Sequence, residues 1–380
     1  MVINRAPMGF NTWNTFGSKI NEDLLKEIAD ALVSTGLSEL GYKYVVIDDC
    51  WALKQRDENG KLVADPEKFP SGMKALADYI HSKGLKFGMY SCAGTLTCGG
   101  YPGSYKNEYE DAKTFAEWDV DFLKYDYCYR SKNTAGVDSY RKMAMALKNS
   151  GRDILFSACS WGHDETKRWI DTTGANIWRA TGDINDSWES IKKIAMLCMD
   201  ANGLNYINCF SDLDMLTVGM HGKGNCGVTG CTNDEYITHF SFWSLFGSPL
   251  MIGCDVRNMD DETLKILSSK ELIGINQDAE LNRPYLLRCG DGMVDSKEAP
   301  AFAKILSNGD IALGFFNFSD EKLLNRFVTL DMLGLDDGNI ECSVKNLWTG
   351  EETKPVNNTI IAYGIEPHAC RMYRIKVKRK

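Results

Sequence analysis

Eight short apolar segments, separated by longer amphipathic ones, constrain the fold of this chain most. The apolar segments are typical of buried strands and span residues 8–11, 42–49, 85–91, 120–127, 153–160, 177–183, 204–212 and 248–255. Strands that alternate with helices form parallel β/α units. Eight such units predict an α/β protein with a (β/α)8 TIM barrel, and a doubly wound open sheet is the alternative.

The segments between these strands carry the signals of helices. Residues 21–34 place Leu24, Ile28 and Leu32 on one face, and Asn21 precedes them as an N-cap. Similar periodicity occurs at residues 70–82, 109–118, 137–148, 187–201, 234–246 and 260–268. These helices supply the crossovers that parallel strands require.

The pattern changes near Pro284, beyond which the sequence predicts only strands and turns. The predicted strands span residues 301–306, 311–318, 326–330, 341–347, 359–363 and 370–377. Asn308-Gly309, between the first two, is a strong hairpin signal. We therefore predict a barrel domain over residues 1–283 and a C-terminal antiparallel β-sandwich domain over residues 284–380.

Charge and composition disfavour several classes of partner. The formal net charge of −9 argues against nucleic acid and anionic membrane surfaces. No apolar run approaches the roughly 18 residues that cross a bilayer. The first residues form no signal peptide, so we expect a cytoplasmic protein, or a secreted one if a leader was removed.

The cysteines predict mainly buried thiols. Thirteen cysteines are spread thinly over the chain, which fits reduced side chains in a cytosolic protein. Cys226 and Cys231 are close enough in sequence for a disulfide or for half of a metal site. No second pair stands at zinc-finger spacing, so we expect no metal and no cofactor.

The predicted carboxyl ends of the barrel strands collect acidic and aromatic residues. These ends form the active-site face of a TIM barrel. In chain order they carry Trp13, Asp48, Asp49, Trp51, Tyr90, Lys124, Asp126, Ser160, Trp161, Arg179, Asp183, Asp212, Asp214, Met215 and Asp255. Any one acid could be an N-cap, and together they could hold a divalent cation. Lys124 and Arg179 would repel a cation, so the mixture of acids and aromatic rings favours a small carbohydrate substrate.

Two of these acids, Asp126 and Asp183, fit the carboxyl pair of a glycosidase. Lys124 and Asp126 lie two residues apart on one strand, so their side chains share a face and the lysine is expected to keep the carboxylate ionised. A purely structural ion pair is the alternative. An ionised Asp126 suits a nucleophile, which leaves Asp183 as acid/base, although Arg179 is its nearest charge in sequence. A carboxyl separation of about 5–5.5 Å gives retention and about 6.5–9.5 Å gives inversion, and spacing in sequence does not decide between them.

Seven motifs carry a family resemblance. They are MGFNTW at residues 8–13, VIDDCW at 46–51, LKYDYC at 123–128, WRATGD at 178–183, DLDML at 212–216, GSPL at 247–250 and INQD at 275–278. Together they resemble glycoside hydrolase family 27, which contains α-galactosidases (melibiases) and α-N-acetylgalactosaminidases. The resemblance covers nearly the whole chain and implies a retaining hydrolase of terminal α-galactosides, with Asp126 as nucleophile and Asp183 as acid/base.

The resemblance also implies how the substrate is held. The implied sugar contacts are Asp48 and Asp49 at the 4- and 6-hydroxyls, Trp13 and Tyr90 as walls, Lys124 near O3, Arg179 near O2 and Met215 at the floor. Cys98 and Cys128 match a family disulfide that flanks the nucleophile strand.

Ser160 departs from the glutamate that family α-galactosidases commonly carry after the fifth-strand cysteine. Serine is similar to the α-N-acetylgalactosaminidase branch, where a small side chain leaves room for a 2-acetamido group, but His163 stands where that branch has a small residue. The alternative is that Ser160 only caps the following helix. An α-galactosidase is therefore the leading prediction, ahead of an α-N-acetylgalactosaminidase and a β-L-arabinopyranosidase; Asp48 argues against the latter.

A non-catalytic sugar-binding barrel is the remote alternative, and the presence of both Asp126 and Asp183 disfavours it. The sequence does not distinguish a monomer from a homo-oligomer.

Overall fold

The computed structural model describes residues 2–199, 205–287, 297–336 and 338–379. The chain divides into two compact units. The first contains Met1–Gly230 and Pro249–Leu267, and the second contains Cys231–Ser248 and Ser268–Lys380. The domain boundary between residues 283 and 284 stays a prediction.

The described part of the first unit contains eight parallel strands. They are β1 (Met8–Asn11), β2 (Tyr44–Val46), β3 (Lys86–Cys92), β4 (Phe122–Asp126), β5 (Leu155–Ala158), β6 (Ile177–Arg179), β7 (Phe210–Asp212) and β8 (Leu250–Ile252). Their order in the sheet is β7-β6-β5-β4-β3-β2-β1-β8.

The ring of strands closes at Leu216, four residues after β7. Its backbone N–H donates to the carbonyl of Met251 at 2.8 Å, and its own carbonyl accepts from the N–H of Gly253 at 2.9 Å. Leu216 thereby forms a parallel bridge with Ile252 of β8. The predicted TIM barrel is confirmed, and the open-sheet alternative is wrong.

Several strands are shorter than predicted because their carboxyl ends leave the ladder. β2 stops at Val46, and the N–H of Asp48 donates to the Thr12 hydroxyl at 3.0 Å instead of to a neighbouring strand. β6 stops at Arg179, so Asp183 lies in a loop. β7 begins at Phe210; residue 204, where this strand was predicted to start, lies outside the described residues.

Helices connect most of these strands. In the first unit they are α1 (Trp13–Phe16), α2 (Glu22–Ser34), α3 (Met73–Ser82), α4 (Glu108–Glu117), α5 (Gly136–Lys148), α6 (Trp188–Leu197) and α8 (Asp261–Leu267). The predicted N-cap of α2 is confirmed, because the Asn21 side chain accepts from the N–H of Leu24 at 2.8 Å. Residues 200 and 201, the predicted end of α6, lie outside the described residues. The crossover from β5 to β6 consists of the 3-10 turns His163–Arg168 and Ile170–Thr172.

The barrel interior is filled by apolar side chains from several strands. This cluster comprises Tyr44, Val46, Phe122, Leu155, Ile177, Met215 and Met251. Side chains alternate across a strand, so positions next to these point outward. The packed interior supports the polar carboxyl ends above it. None of the described helices has the length and apolar character of a membrane span.

The second unit combines two helices with antiparallel strands. The elements are α7 (Asn233–Phe246), α9 (Lys270–Asn276), β9 (Tyr285–Leu287), β10 (Ala301–Ile305), β11 (Ile311–Phe316), β12 (Leu323–Thr329), β13 (Ile340–Asn346), β14 (Glu352–Thr353), β15 (Thr359–Ile365) and β16 (Cys370–Arg379). One sheet has the order β14-β13-β16-β11-β10-β9, and the other pairs β12 with β15. Residues of both sheets, such as Leu313 and Ile360, share one buried core.

The C-terminal hairpin forms where the sequence predicts it. Ile305 pairs with Ile311, and Gly309 in the turn has a φ of +83°, a conformation that glycine adopts without strain. The predicted antiparallel β-sandwich is therefore confirmed.

Candidate active site

A cavity opens at the carboxyl ends of the barrel strands. It is lined by Trp13, Asn14, Asp48, Asp49, Tyr90, Cys98, Lys124, Asp126, Arg179, Asp183, Ile184, Asp214, Met215 and Cys226. The cavity therefore brings together most of the site residues predicted from the sequence, including Asp126 and Asp183. It excludes Trp51, Cys128, Ser160, Trp161, Asp212 and Asp255, and it adds Asn14, Ile184 and Cys226.

Asp126 ends β4 as a buried carboxyl group, with only 5% of the residue exposed. One oxygen accepts from the Tyr90 hydroxyl at 3.1 Å, and the other accepts from the N–H of Tyr127 at 2.8 Å. Burial raises the pKa of Asp126 to about 6, although Lys124 and the Tyr127 N–H act to lower it. The expected lowering of this pKa by Lys124 is thus corrected, because desolvation outweighs the lysine, but the carboxylate is still ionised above about pH 6.

Lys124 forms its ion pair with a different acid. Its ammonium lies 2.7 Å from Oδ2 of Asp48, which also accepts from Asn11 Nδ2 at 2.9 Å. The same ammonium lies 5.3 Å from the centre of the Tyr90 ring. Burial acts to lower the pKa of Lys124, but the negative charges of Asp48 and Asp126 outweigh it and raise the pKa. Lys124 is therefore a fixed cation among the acidic residues that line the cavity.

Asp49 is held by backbone donors. Its two oxygens accept from the N–H groups of Cys50 and Gly99, each at 2.7 Å. Burial nevertheless raises the pKa of Asp49. Asp48 and Asp49 are both almost fully buried at this edge, so they offer oriented acceptors to a polar ligand.

A disulfide joins Cys98, in the loop after β3, to Cys128, two residues after Asp126. The pairing implied by the family resemblance is confirmed. Cys98 lines the cavity and Cys128 does not. The two sulfurs and an Asp126 oxygen lie close together, but disulfide sulfurs are not thiolate ligands, so this group does not suit a metal ion. Cys226 is a free thiol, which rules out the Cys226–Cys231 disulfide in this structure.

Arg179 connects three acids at the ends of β6 and β7. Its Nη1 lies 3.0 Å from Asp183 and 2.6 Å from Asp214, and its Nε lies 3.7 Å from Asp212. Arg179 is buried, whereas 72% of the Asp183 side chain is exposed. Burial raises the pKa of Asp214 to about 6. Asp183 is thus anchored at the mouth of the cavity by an arginine whose charge is shared among acids.

Five predicted rim residues do not line the cavity, namely Trp51, Ser160, Trp161, Asp212 and Asp255. Ser160 is fully buried, and its hydroxyl lies 2.7 Å from that of Thr166, so it neither faces the cavity nor caps a helix through its side chain. Trp161 is half-buried with its ring against His163. Trp51 is buried and donates its indole N–H to the carbonyl of Tyr90.

Asp255 is an N-cap, which is the structural role that any single rim acid could have. Its side chain accepts from the N–H of Arg257 and caps the turn Val256–Asn258.

The sequence did not suggest three of the lining residues, and one of them, Ile184, directly follows Asp183. Asn14 follows Trp13 in the short helix α1, and Cys226 lies in the long segment between β7 and α7. The length of that segment was a usable signal, since long connections in compact domains are often functional. Neither residue belongs to a strand end, so the strand pattern could not place it.

The second unit contains a larger cavity of about 680 Å³. Trp348, Tyr363 and Arg371 are among its lining residues. Arg371 donates to the backbone carbonyls of Gly364 and Cys370. The barrel cavity, although smaller, contains the buried carboxyl group and the second acid that bond cleavage requires. We therefore assign the candidate active site to the barrel.

Comparisons with known proteins agree with this geometry. The family model of α-galactosidase A matches residues 7–278, and that of the α-galactosidase C-terminal β-sandwich domain matches residues 296–375. α-Galactosidase 2 of Arabidopsis thaliana is 44% identical over 373 residues, which are 97% of this chain and 88% of that protein. The α-galactosidase of Cyamopsis tetragonoloba is 42% identical over 368 residues, 97% of this chain and 85% of that protein.

Solved structures give the same result. α-Galactosidase I from Mortierella vinacea aligns with a TM-score of 0.87 at 33% identity, covering 98% of this chain and 97% of that one. The α-galactosidase from Saccharomyces cerevisiae with raffinose aligns with a TM-score of 0.83 at 28% identity, covering 99% and 98%.

Proposed function

Because the chain belongs to the α-galactosidase family of glycoside hydrolases, family 27, we propose that it releases terminal α-linked galactose from oligosaccharides or glycoconjugates by a retaining, double-displacement mechanism. The observation that carries the proposal is the pair of acids on one cavity. Asp126 is buried with a raised pKa, and Asp183 stands exposed at the mouth.

Asp126 is proposed as the nucleophile. Its ionised carboxylate attacks the anomeric carbon while Asp183 gives its proton to the leaving oxygen, so that the glycosidic C–O bond breaks and a glycosyl ester forms. Asp183, now ionised, removes a proton from water, which attacks the same carbon and frees Asp126. The Tyr90 hydroxyl and the Tyr127 N–H on Asp126 fix the direction of attack.

Arg179 positions the proposed acid/base. It anchors Asp183 to the buried Asp214, which limits the freedom of an otherwise exposed side chain. A bound glycoside would cover Asp183, and loss of water around a carboxyl group favours its neutral, proton-donating form. Substrate binding would therefore favour the protonated form of Asp183, which is the form that acts as the acid.

The fixed acceptors just after β2 support galactose as the sugar. Asp48 and Asp49 are held by Asn11, Lys124 and backbone N–H groups, so they can accept from the sugar hydroxyls that the family resemblance places there. The acetamido alternative depended on Ser160, which does not line the cavity. No feature of the described cavity favours that alternative.

Azide rescue tests both roles. With an aryl α-galactoside, Asp126→Gly should be inactive alone, and added azide should take the place of the nucleophile and give the β-galactosyl azide. Asp183→Ala should form the glycosyl ester, which azide attacks from the opposite side to give the α-galactosyl azide. Proton NMR of the products distinguishes the two anomers. Full activity of Asp126→Gly without azide would remove Asp126 from the mechanism.

A further inference from the structure

The segment of residues 217–230, here called the rim loop, forms part of the cavity wall. It lies directly against the turn after β1. The N–H of Cys226 donates to the carbonyl of Asn14 at 2.9 Å, and the N–H of Asn225 donates to the carbonyl of Thr15 at 3.1 Å. Gly224, at a φ of +85°, allows this approach, because a Cβ there would lie 2.8 Å from the Cα of Thr15.

The other side of the rim loop is bound to the segment that carries Asp183. Asp186, three residues further on, is fully buried. Its backbone N–H donates to the carbonyl of Cys226 at 2.9 Å, and its carbonyl accepts from the N–H of Gly230 at 2.9 Å. Its carboxylate accepts from the N–H of Gly222 at 2.7 Å. The rim loop is therefore a fixed wall between the proposed acid/base and the β1–α1 turn.

The side-chain amide of Asn14 is a hydrogen-bond donor in this wall. Only 3% of the residue is exposed, yet it lines the cavity beside Cys226. Its Nδ2 makes no hydrogen bond with any residue that the structure describes. A buried amide donor without an acceptor is costly, so a polar partner from the ligand would satisfy it.

We infer that Asn14 is a substrate-binding residue for the leaving group, with Nδ2 donating to a hydroxyl oxygen of the sugar that is linked to the terminal galactose. Cys226 and the rim loop form the wall of this leaving-group site. This inference rests on the proposed function. The assignment to the leaving group follows from the hydrogen bonds of Asp186, which join the rim loop to the segment that carries Asp183. In the proposed mechanism Asp183 contacts the leaving oxygen, so the rim loop lies on the side of the leaving group. The acceptors proposed for galactose, Asp48 and Asp49, lie just after β2 instead.

Two substrates with different leaving groups test the inference. An α-1,6-linked galactosyl disaccharide has hydroxyl groups on its leaving sugar, whereas p-nitrophenyl α-galactoside has none. Loss of one neutral hydrogen bond should lower kcat/KM of Asn14→Ala on the disaccharide about 5- to 10-fold and on the aryl substrate less than about 2-fold. Asn59→Ala is the matched control, because Asn59 is exposed in a turn between β2 and α3 and does not line the cavity. It should leave both values within about 2-fold of wild type.

Equal losses on both substrates, or no loss on either, would overturn the inference. Asn14→Leu, which is similar in size and lacks the N–H, serves if Asn14→Ala does not fold, and the same difference between substrates is expected. An unchanged inhibition constant for free galactose would show that the galactose site is intact in the variant. If the wild-type enzyme cleaves neither substrate, the proposed function itself fails, whereas wild-type cleavage with equal losses in the variant refutes only the role of Asn14.

Discussion

Asp126→Asn should stabilise the fold at neutral pH while it abolishes turnover. The folded-state pKa of Asp126 is about 6 against a reference value of 3.8, so between these values the folded protein binds more protons than the unfolded chain. Stability from this group is therefore present at low pH and lost as pH rises through 6. Asparagine does not titrate. The free energy of unfolding of the variant, relative to wild type, should rise by about 2 kcal/mol between pH 4 and pH 7.5.

The assay is urea denaturation followed by tryptophan fluorescence, on both proteins, at pH 4, 5, 6, 6.75 and 7.5. The informative quantity is the change with pH of the difference in unfolding free energy, because effects of the substitution that do not depend on pH cancel. Asp183→Asn is the matched control. It makes the same chemical change at the mouth and should also reduce activity, but with 72% of the side chain exposed it removes no buried charge. Its difference from wild type should stay constant with pH within about 0.5 kcal/mol.

A flat difference for Asp126→Asn would refute the argument that burial governs this carboxyl group. A difference that falls with rising pH would show that Lys124 dominates, as the sequence suggested. If Asp126→Asn still turned over substrate, Asp126 would have no part in the reaction.

Three further outcomes follow from the same geometry. The acid limb of the pH profile of kcat/KM should lie near pH 6, where Asp126 ionises. Lys124→Met should move that limb to higher pH, because it removes a cation that lowers the pKa of Asp126. A limb that stays at the same pH in the variant would contradict this. Replacing both Cys98 and Cys128 by serine opens a 30-residue connection and should cost about 3–4 kcal/mol in chemical denaturation, with activity reduced because Cys98 lines the cavity. Ser160→Glu should destabilise the fold by about 3 kcal/mol or more, since a buried hydroxyl is replaced by a charge; a stable variant with changed sugar preference would restore Ser160 to the site.

The sequence predicted the barrel well because its signals are local. Apolar runs, the Asn21 cap and the turn at Asn308-Gly309 each specify their own element, and the parallel order of strands follows from the crossovers. Strand ends were predicted too long because acids such as Asp48 leave the ladder to bond side chains. The helix α7 was assigned to the barrel from its place between β7 and β8, yet it belongs to the second compact unit.

The electrostatics of the site could not be predicted from sequence neighbours. Lys124 stands two residues from Asp126, but its ion pair is with Asp48, 76 residues earlier in the chain. The raised pKa of Asp126 depends on burial by surrounding elements, which no motif records. Asn14 shares the cavity wall with Cys226, which lies more than 200 residues later and donates a backbone hydrogen bond to it. Adjacency across the barrel, rather than along the chain, decides these roles.

The two hydrogen bonds of Leu216 that close the ring have a consequence for how ligand binding spreads through the molecule. Leu216 follows Asp214 and Met215, which line the cavity, so the seam between β7 and β8 and the ligand share one short stretch of backbone. Occupation of the site should slow the exchange of the Leu216 and Gly253 amide hydrogens with deuterium more than that of amides in β5, which contributes no residue to the cavity wall. The seam would then be the part of the barrel that opens most readily when empty and tightens when the site is filled.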